Sequence, residues 1–113
     1  MTFENGQRFE IRKEPTGSSS LTMRLYGEFD LACRERFDDE FARISRNGIR
    51  ELVIDLAGLT FLDSSAIRML LETKRSADRD GLVLFVTLPR DGQPRKVLEL
   101  TGIVGVLCQP DGG

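Results

Sequence analysis

The stretch ELVIDLAGLTFLDSSAI, at residues 51–67, contains the change of hydrophobic pattern on which the fold depends. Its first part, Glu51 to Leu56, is short, rich in apolar side chains and preceded by a glycine turn, which predicts a buried strand. We expect residues 57–62 to be a connector and a helix to run from Ser64 to about Arg79. A buried strand followed by an amphipathic helix is the repeating unit of a parallel α/β sheet.

The segments on either side of this stretch extend the same pattern. Two alternating segments, residues 7–14 and 20–26, predict an antiparallel hairpin at the start of the chain. The further elements expected are a helix from Leu31 to a stop at Asn47-Gly48, a buried strand over 82–87, a short helix over 94–101 and a last strand over 104–107.

The predicted element order is β-β-α-β-α-β-α-β. This order gives an α/β fold with a mixed sheet of about five strands and about three to four helices, in which an antiparallel hairpin precedes parallel β-α units with right-handed crossovers. No long linker divides the chain and no internal repeat is present. We therefore expect residues 1–113 to form a single domain with its core at about 7–107.

The composition is that of an ordinary globular protein, with 40% hydrophobic and 30% charged residues among 113. The apolar runs are far shorter than a membrane span, and residues 1–5 lack the basic region and apolar core of a secretory signal. We therefore expect a cytoplasmic protein with no membrane partner. The net charge of −2 and the scattered basic residues argue against direct nucleic-acid binding.

The residue types that are missing exclude several kinds of catalytic site. With no histidine, the chain cannot build a serine–histidine–acid triad. With only two cysteines, Cys33 and Cys108, it also lacks the usual ligands of a tetrahedral zinc site. The glycine-containing segments Thr16-Gly17-Ser18-Ser19 and Asp91-Gly92-Gln93-Pro94 are predicted to be turns, and they match neither a Walker loop nor a dinucleotide fingerprint. We expect no catalytic residues, no metal, no cofactor and no enzymatic activity.

The two cysteines are expected to be reduced thiols. If strands are added in sequence order, Cys33 after the second strand and Cys108 after the last are about three strand spacings apart, roughly 14 Å. A disulfide requires α-carbons within about 7 Å of each other. The predicted topology therefore argues against an intramolecular disulfide.

The serine pair at the start of the second predicted helix is the first site candidate. Asp63 or Ser64 is explained equally well as an N-cap that satisfies free backbone N–H groups. Ser65 falls in the first turn, where capping does not need its hydroxyl. A phosphate on an exposed Ser65 would lie in the positive field of the helix N-terminus and would add about −1.5 to −2 charges. Arg68, one turn later, is placed to face that phosphate, although an exposed arginine without a role is the simpler explanation of this residue.

The segment Gly27-Glu28-Phe29-Asp30 is the second candidate, because it follows the second strand as Asp63 follows the third. Loops at the carboxyl ends of parallel strands lie along one edge of a sheet, where binding sites collect. Asp30 is therefore expected to share an edge with Asp63, Ser64 and Ser65. Capping of the first helix is the simpler explanation of Asp30.

Four blocks of the sequence, taken in order, resemble the blocks of the STAS domain. They are Gly27-Glu28-Phe29-Asp30, Val53-Ile54-Asp55-Leu56, Phe61-Leu62-Asp63-Ser64-Ser65-Ala66-Ile67 and Val97-Leu98-Glu99-Leu100-Thr101-Gly102-Ile103. More narrowly, the chain is similar to the stand-alone bacterial anti-sigma factor antagonists. The resemblance covers about Gln7 to Leu107, and its element order agrees with the predicted one.

The resemblance implies a binding switch. In this family the unphosphorylated antagonist captures an anti-sigma factor, which frees the sigma factor for transcription. The anti-sigma factor is typically also a serine/threonine kinase that uses ATP to phosphorylate the antagonist, and a phosphatase resets it. The phosphorylated serine of the family corresponds to Ser65, and a family acid beside it corresponds to Asp30.

The resemblance also implies a partner-binding surface. It is expected to include Asp30, Asp63, Ser64, Ser65 and Arg68. We expect the protein to be a monomer or a weak dimer. Ala66 stands where many family members have glycine, and because alanine favours a helix by about 1 kcal/mol, this loop is expected to be slightly stiffer.

Three other functions are compatible with the sequence. An accessory STAS subunit docked on a transporter ATPase would use the same loop as an interface without a phosphate, although such relatives often carry threonine at the place of Ser64. A small-molecule sensor or a component of a larger signalling assembly is the second. The third, a hydrolase with Ser65 as its nucleophile, lacks a histidine and any evident base.

Overall fold

Four strands form one mixed sheet in which each strand lies beside its neighbours in sequence. The computed structural model of the chain describes residues 8–107. The elements are β1 (Phe9–Pro15), β2 (Ser20–Phe29), a 3-10 turn (Leu31–Cys33), α1 (Arg34–Arg46), β3 (Glu51–Leu62), α2 (Ser64–Asp80), β4 (Val83–Thr87), α3 (Gly92–Thr101) and α4 (Val104–Leu107).

The strand pairing confirms the predicted fold class. β1 is antiparallel to β2, whereas β2 with β3 and β3 with β4 are parallel. Alternate side chains on one face of the sheet, including Met23, Leu25, Leu52 and Ile54, are buried in a core that the helices complete. Burial of this apolar surface is the main interaction that holds the helices on the sheet.

The opposite face of the sheet is polar along β1 and β2, whereas β4 leaves the ring of Phe85 exposed there. Arg24 forms ion pairs with Glu14 and, at 3.5 Å, with Asp55. The guanidinium of Arg12 lies over the ring of Tyr26, 5.0 Å from its centre. This face is therefore crossed by interactions between charged and aromatic side chains, and the apolar core lies on the other side.

β3 is twice as long as predicted, because it continues through the expected connector at residues 57–62. Its pairing with β2 shifts twice, and at each shift β3 contains one residue more than β2 between the paired positions. Such bulges change which side chains face the core. Buried residues are therefore two apart up to Leu56 but three apart at Leu59 and Leu62, so the alternation typical of a strand is lost.

The predicted last strand, residues 104–107, is instead the helical turn α4. Leu107 is fully buried, and α4 packs against α2 and α3, so this segment buries its apolar side chain without joining the sheet. The sheet therefore has four strands within residues 8–107, where about five were expected. Cys108 lies outside the described residues, so its separation from Cys33 stays a prediction, and the strand assumed in estimating that separation is a helical turn.

The helices lie close to their predicted positions. α1 begins after the 3-10 turn and ends at Arg46, with Asn47 as its C-cap. The C-caps of α2 and α3 are Gly81 and Gly102, both in the left-handed conformation that commonly follows the last residue of a helix. Within residues 8–107, no helix combines the length and apolar character needed to cross a bilayer.

Gly27, in β2, is constrained by its contact with the start of β1. Its φ is +91°, a conformation that residues with a Cβ rarely adopt. A Cβ built there would lie 1.8 Å from the carbonyl oxygen of Arg8, a backbone atom that cannot turn away. Gly48 also has a positive φ, +78°, but a Cβ there would meet nothing within 4 Å. A comparison of the two glycines therefore separates the effect of a positive φ from the effect of close packing against another segment.

We expect Gly27→Ala to destabilise the protein much more than Gly48→Ala. Gly48→Ala should lower the free energy of unfolding by about 1–2 kcal/mol, the cost of a left-handed alanine. Gly27→Ala must also displace β1 and should cost at least about 3 kcal/mol. Urea unfolding followed by circular dichroism measures both values. Equal losses in the two variants would contradict the packing described for Gly27.

Candidate functional site

The ends of β2 and β3 place two aspartates at one edge of the sheet. Phe29 and Leu62 are parallel partners, and the backbone N–H of Asp63 donates to the carbonyl oxygen of Phe29 at 3.3 Å. Asp30 and Asp63 are the residues that directly follow these two strands. The expectation that Asp30 and Asp63 share an edge is confirmed.

Asp63 is the N-cap of α2. Its backbone is extended, with φ −120°, and its Oδ1 atom accepts a hydrogen bond from the N–H of Ala66 at 3.0 Å. The carboxylate thus satisfies one of the free donors in the first turn of the helix. Of the two capping residues considered, Asp63 is the cap, and Ser64 is the first residue of the helix.

Asp30 caps the 3-10 turn in the same way. Its Oδ1 atom accepts from the N–H of Ala32 at 3.0 Å. The thiol of Cys33 donates to the carbonyl oxygen of Glu28 at 3.3 Å and lies 3.7 Å from Oδ1 of Asp30. Burial raises the pKa of Cys33 to about 11, because desolvation penalises the thiolate. Cys33 is therefore a neutral, buried donor that holds this loop.

Three aromatic rings support the edge from the core. The ring of Phe29 stacks on that of Phe9 with centroids 5.3 Å apart, and packs at a tilt against Phe37 at 5.2 Å. All three side chains are buried, and ring pairs of this kind contribute about 0.5–1.5 kcal/mol beyond their burial. β1, β2 and α1 are thereby packed together around the residue that precedes Asp30.

The two serines differ in exposure. Ser64 is exposed. Ser65, one residue further along the first turn of α2, is expected to be exposed but is half-buried. Among the residues that the structure describes, neither hydroxyl has a hydrogen-bond partner. Asp63, and not a serine, makes the side-chain cap of this turn. Both hydroxyls are therefore available to a partner or to modification.

The serines form part of a polar concavity of about 240 Å³. Its walls are Leu31, Arg34, Ser64, Ser65 and Arg68. These residues come from the 3-10 turn, α1 and α2, so their proximity depends on the shared edge of β2 and β3. Sequence patterns indicate the serines and Arg68 as site residues but not Leu31 or Arg34.

Arg34 links the two helices that border the concavity. Its Nη1 atom donates to Oε1 of Glu72 at 3.0 Å and to Oδ2 of Asp38 at 3.5 Å. The hydrogen bond with Glu72 is the largest cause of an Arg34 pKa above its ordinary value. Within residues 8–107, Arg68 forms no ion pair. The concavity therefore has two guanidinium groups, of which Arg34 is already bound to carboxylates.

Gln93 holds the end of β3 from the opposite side. Its Oε1 atom accepts from the N–H of Leu62 at 3.0 Å, and its Nε2 atom donates to the carbonyl oxygen of Leu62 at 2.9 Å. β4 pairs with β3 only as far as Thr87 with Asp55, so this amide takes the place of a strand partner. The sequence predicts only a turn at Asp91-Gly92-Gln93-Pro94 and gives no sign of this contact.

The chemistry available at this edge is that of hydroxyl, guanidinium and backbone N–H groups. These groups suit recognition of a protein partner or of a phosphate. In the described part of the chain, no three histidine, cysteine, aspartate or glutamate side chains group closely enough to hold a metal ion.

Comparison with known proteins adds the family. The family model described as "Mlab, STAS domain" matches residues 13–108. The chain belongs to the STAS domain family. A STAS-domain containing protein of Pseudomonas aeruginosa strain UCBPP-PA14 is 41% identical over 51 residues, which are 45% of this chain and 50% of that protein. The match thus spans half the length of this relative.

Solved structures share the STAS fold with this domain. An anti-sigma factor antagonist from Mycobacterium paratuberculosis superposes with a TM-score of 0.74 at 20% identity, over 88% of this chain and 82% of that one. The anti-sigma factor antagonist SpoIIAA, unphosphorylated, gives 0.71 at 20% identity over 92% and 89%. The phosphorylated form of Bacillus SpoIIAA gives 0.62 at 20% identity over 92% of each chain. At 20% identity, these likenesses show the fold that this domain shares with them.

We expect Gln93→Met to release the end of β3 in this STAS domain. Methionine keeps the length of the side chain but leaves the N–H and C=O of Leu62 unpaired, which should cost about 1–3 kcal/mol of stability. Amide hydrogen exchange should rise at Leu62 by a larger factor than at Leu52, which lies in the paired half of β3. An unchanged exchange rate at Leu62 would contradict the role given to Gln93.

Proposed function

We propose that this STAS domain, with residues 1–113 as one unit, is an anti-sigma factor antagonist. Its unphosphorylated form binds an anti-sigma factor that is also a serine/threonine kinase, and so releases the sigma factor. Transfer of a phosphate from ATP to Ser65 switches binding off, and a phosphatase restores it. The domain acts in the cytoplasm as a binding module, without a cofactor and as a monomer or weak dimer.

The observation that carries this proposal is that the Ser65 hydroxyl has no hydrogen-bond partner among the described residues. In the first turn of a helix, a serine is commonly explained by capping, but Asp63 already accepts the cap hydrogen bond from Ala66. Ser65 instead lines a concavity that also contains Arg34 and Arg68. A kinase can therefore modify this hydroxyl without breaking a hydrogen bond of the described residues.

The charge of a phosphate accounts for the switch. A neutral Ser65 can be covered by a partner at little cost. A phosphate with a charge of about −1.5 to −2 must be desolvated in the same interface, which costs several kcal/mol unless the partner pairs it. A loss of about 3 kcal/mol corresponds to a more than hundredfold weaker complex.

The solved structures of the same fold support this proposal. SpoIIAA, an anti-sigma factor antagonist, has both an unphosphorylated and a phosphorylated form. Both forms superpose on this chain over 92% of its length. The fold is therefore compatible with a phosphorylation switch.

The proposed partner surface is centred on the concavity. It consists of Asp30, Asp63, Ser64, Ser65 and Arg68, to which the geometry adds Leu31 and Arg34. Asp30 and Asp63 contribute by holding their loops through caps, while the concavity residues meet the partner directly.

We expect Ser65→Glu to weaken binding of the anti-sigma kinase encoded in the same genome by more than about a hundredfold, because the carboxylate must be desolvated without a partner. Ser65→Ala should still bind but should no longer accept phosphate from ATP. Ser64→Ala is the matched control, and it should be phosphorylated normally. Isothermal titration calorimetry measures the affinities, and mass spectrometry locates the phosphate.

Two results would overturn this mechanism. One is normal phosphorylation of Ser65→Ala, and the other is undiminished kinase binding by Ser65→Glu. Binding to a transporter ATPase that Ser65→Glu leaves unchanged would instead favour the accessory-subunit alternative.

Leu31 offers an apolar contact beside the serines. It lines the concavity and is 62% exposed. Most of its apolar surface is therefore in contact with water in the free protein, and covering that surface would be favourable. Leu100 provides a matched control, because it is 79% exposed on α3 and is not part of the concavity wall. The pair therefore distinguishes a specific contact from general surface hydrophobicity.

We expect Leu31→Ala to weaken kinase binding by about tenfold or more, the loss of roughly 1.4 kcal/mol or more of buried apolar contact. Leu100→Ala should leave the affinity unchanged. Surface plasmon resonance on both variants gives the comparison. Equal affinities of the two variants would place the interface elsewhere on the domain.

A further inference from the structure

We propose that Arg34 and Arg68 bind the phosphate of phosphorylated Ser65, and that Arg34 does so through its Nε and Nη2 donors, which are free within residues 8–107. The inference rests on the proposed function, since it assumes that Ser65 carries a phosphate. The phosphate-binding site on this chain consists of one arginine from α1 and one from α2.

The three side chains already share one concavity. Ser65, Arg34 and Arg68 all line it, and its volume of about 240 Å³ exceeds that of a phosphate group. Ser65 and Arg68 lie three positions apart on α2, a spacing that places side chains on the same face of a helix. Arg68 is exposed and has no ion pair among residues 8–107, so it can turn toward a new anion without breaking one.

Arg34 is bound in a way that leaves most of its donors unused. Both of its carboxylate contacts, to Glu72 and to Asp38, are made by Nη1. Within the described residues, Nε and Nη2 have no partner, although a guanidinium carries five N–H donors in a planar fork. A phosphate in the concavity offers the acceptor pair that such a fork binds at two points.

The present partners of Arg34 are weak competitors. The side chains of Glu72 and Asp38 are 45% and 51% exposed, and ion pairs between exposed groups contribute little to stability. A phosphate dianion carries more charge than a carboxylate and forms stronger charge-assisted hydrogen bonds with arginine. The side chain of Arg34 can therefore adjust toward the phosphate, and this contact adds a second ionic link between α1 and α2.

Binding of the phosphate by both arginines has a regulatory consequence. In the unmodified protein, Arg34 and Arg68 are positive groups that border the proposed partner surface. Once the phosphate binds both guanidinium groups, their charge is neutralised from within the chain. Phosphorylation then changes the partner surface at three side chains instead of one.

The test uses the full chain with phosphoserine incorporated at position 65 during translation, so that no kinase is required. The second pKa of the phosphate is followed by ³¹P NMR. Two nearby guanidinium groups favour the dianion, so this pKa should be at least about half a unit lower than in the Arg34→Ala and Arg68→Ala variants. Arg75→Ala removes the same charge from an exposed position of α2 outside the concavity and should leave the pKa nearly unchanged.

A second measurement reports the movement of Arg34 itself. The Nε–H resonance of Arg34 should become protected from exchange in the phosphorylated protein and stay fast in the unmodified one. An equal phosphate pKa in all three arginine variants, or an Arg34 resonance that does not respond to the phosphate, would overturn the proposal. These results do not depend on any kinase, so they are separate from a failure of the Ser65 binding assays.

Discussion

The parallel pairing of Phe29 with Leu62 places the ends of β2 and β3 at the same level of the sheet. In both places an aspartate directly follows the strand and caps the helical turn that begins at the next residue. The 3-10 turn, α1 and the first turn of α2 are thereby brought to one edge. Without this register, Leu31 and Arg34 could not lie beside the serine pair.

Several independent contacts maintain that register. The stacked phenylalanine rings and the buried thiol of Cys33 hold the end of β2, while the amide of Gln93 holds the end of β3. The bulges in β3 let the longer strand finish level with β2. The serine pair at the start of α2 is thus held by contacts on both strands, which suits a site where a phosphate would change charge rather than backbone conformation.

Short-range patterns in the sequence identify the shared edge, but they do not reveal contacts between residues that are far apart in the chain. Asp30 and Asp63 could be placed because capping and the end of a parallel strand both follow from short-range patterns. The second half of β3 is not predicted because its bulges interrupt the alternation of apolar residues. α4 is not predicted because its four residues, of which three are apolar, suit a strand and a helical turn equally well. Arg34 and Gln93 act across the fold, and their neighbours in sequence give no indication of it.

The central claim is that one edge of the sheet, formed by the ends of β2 and β3, is the surface that a partner recognises and phosphate disables. The most direct test is an NMR titration of the ¹⁵N-labelled domain with the proposed anti-sigma kinase partner, without ATP. The account predicts that shift changes concentrate at residues 30–34 and 63–68 and disappear when Ser65 carries a phosphate. Shift changes centred on the polar face of the sheet, around Arg12, Arg24 and Tyr26, and unaffected by the phosphate, would contradict it.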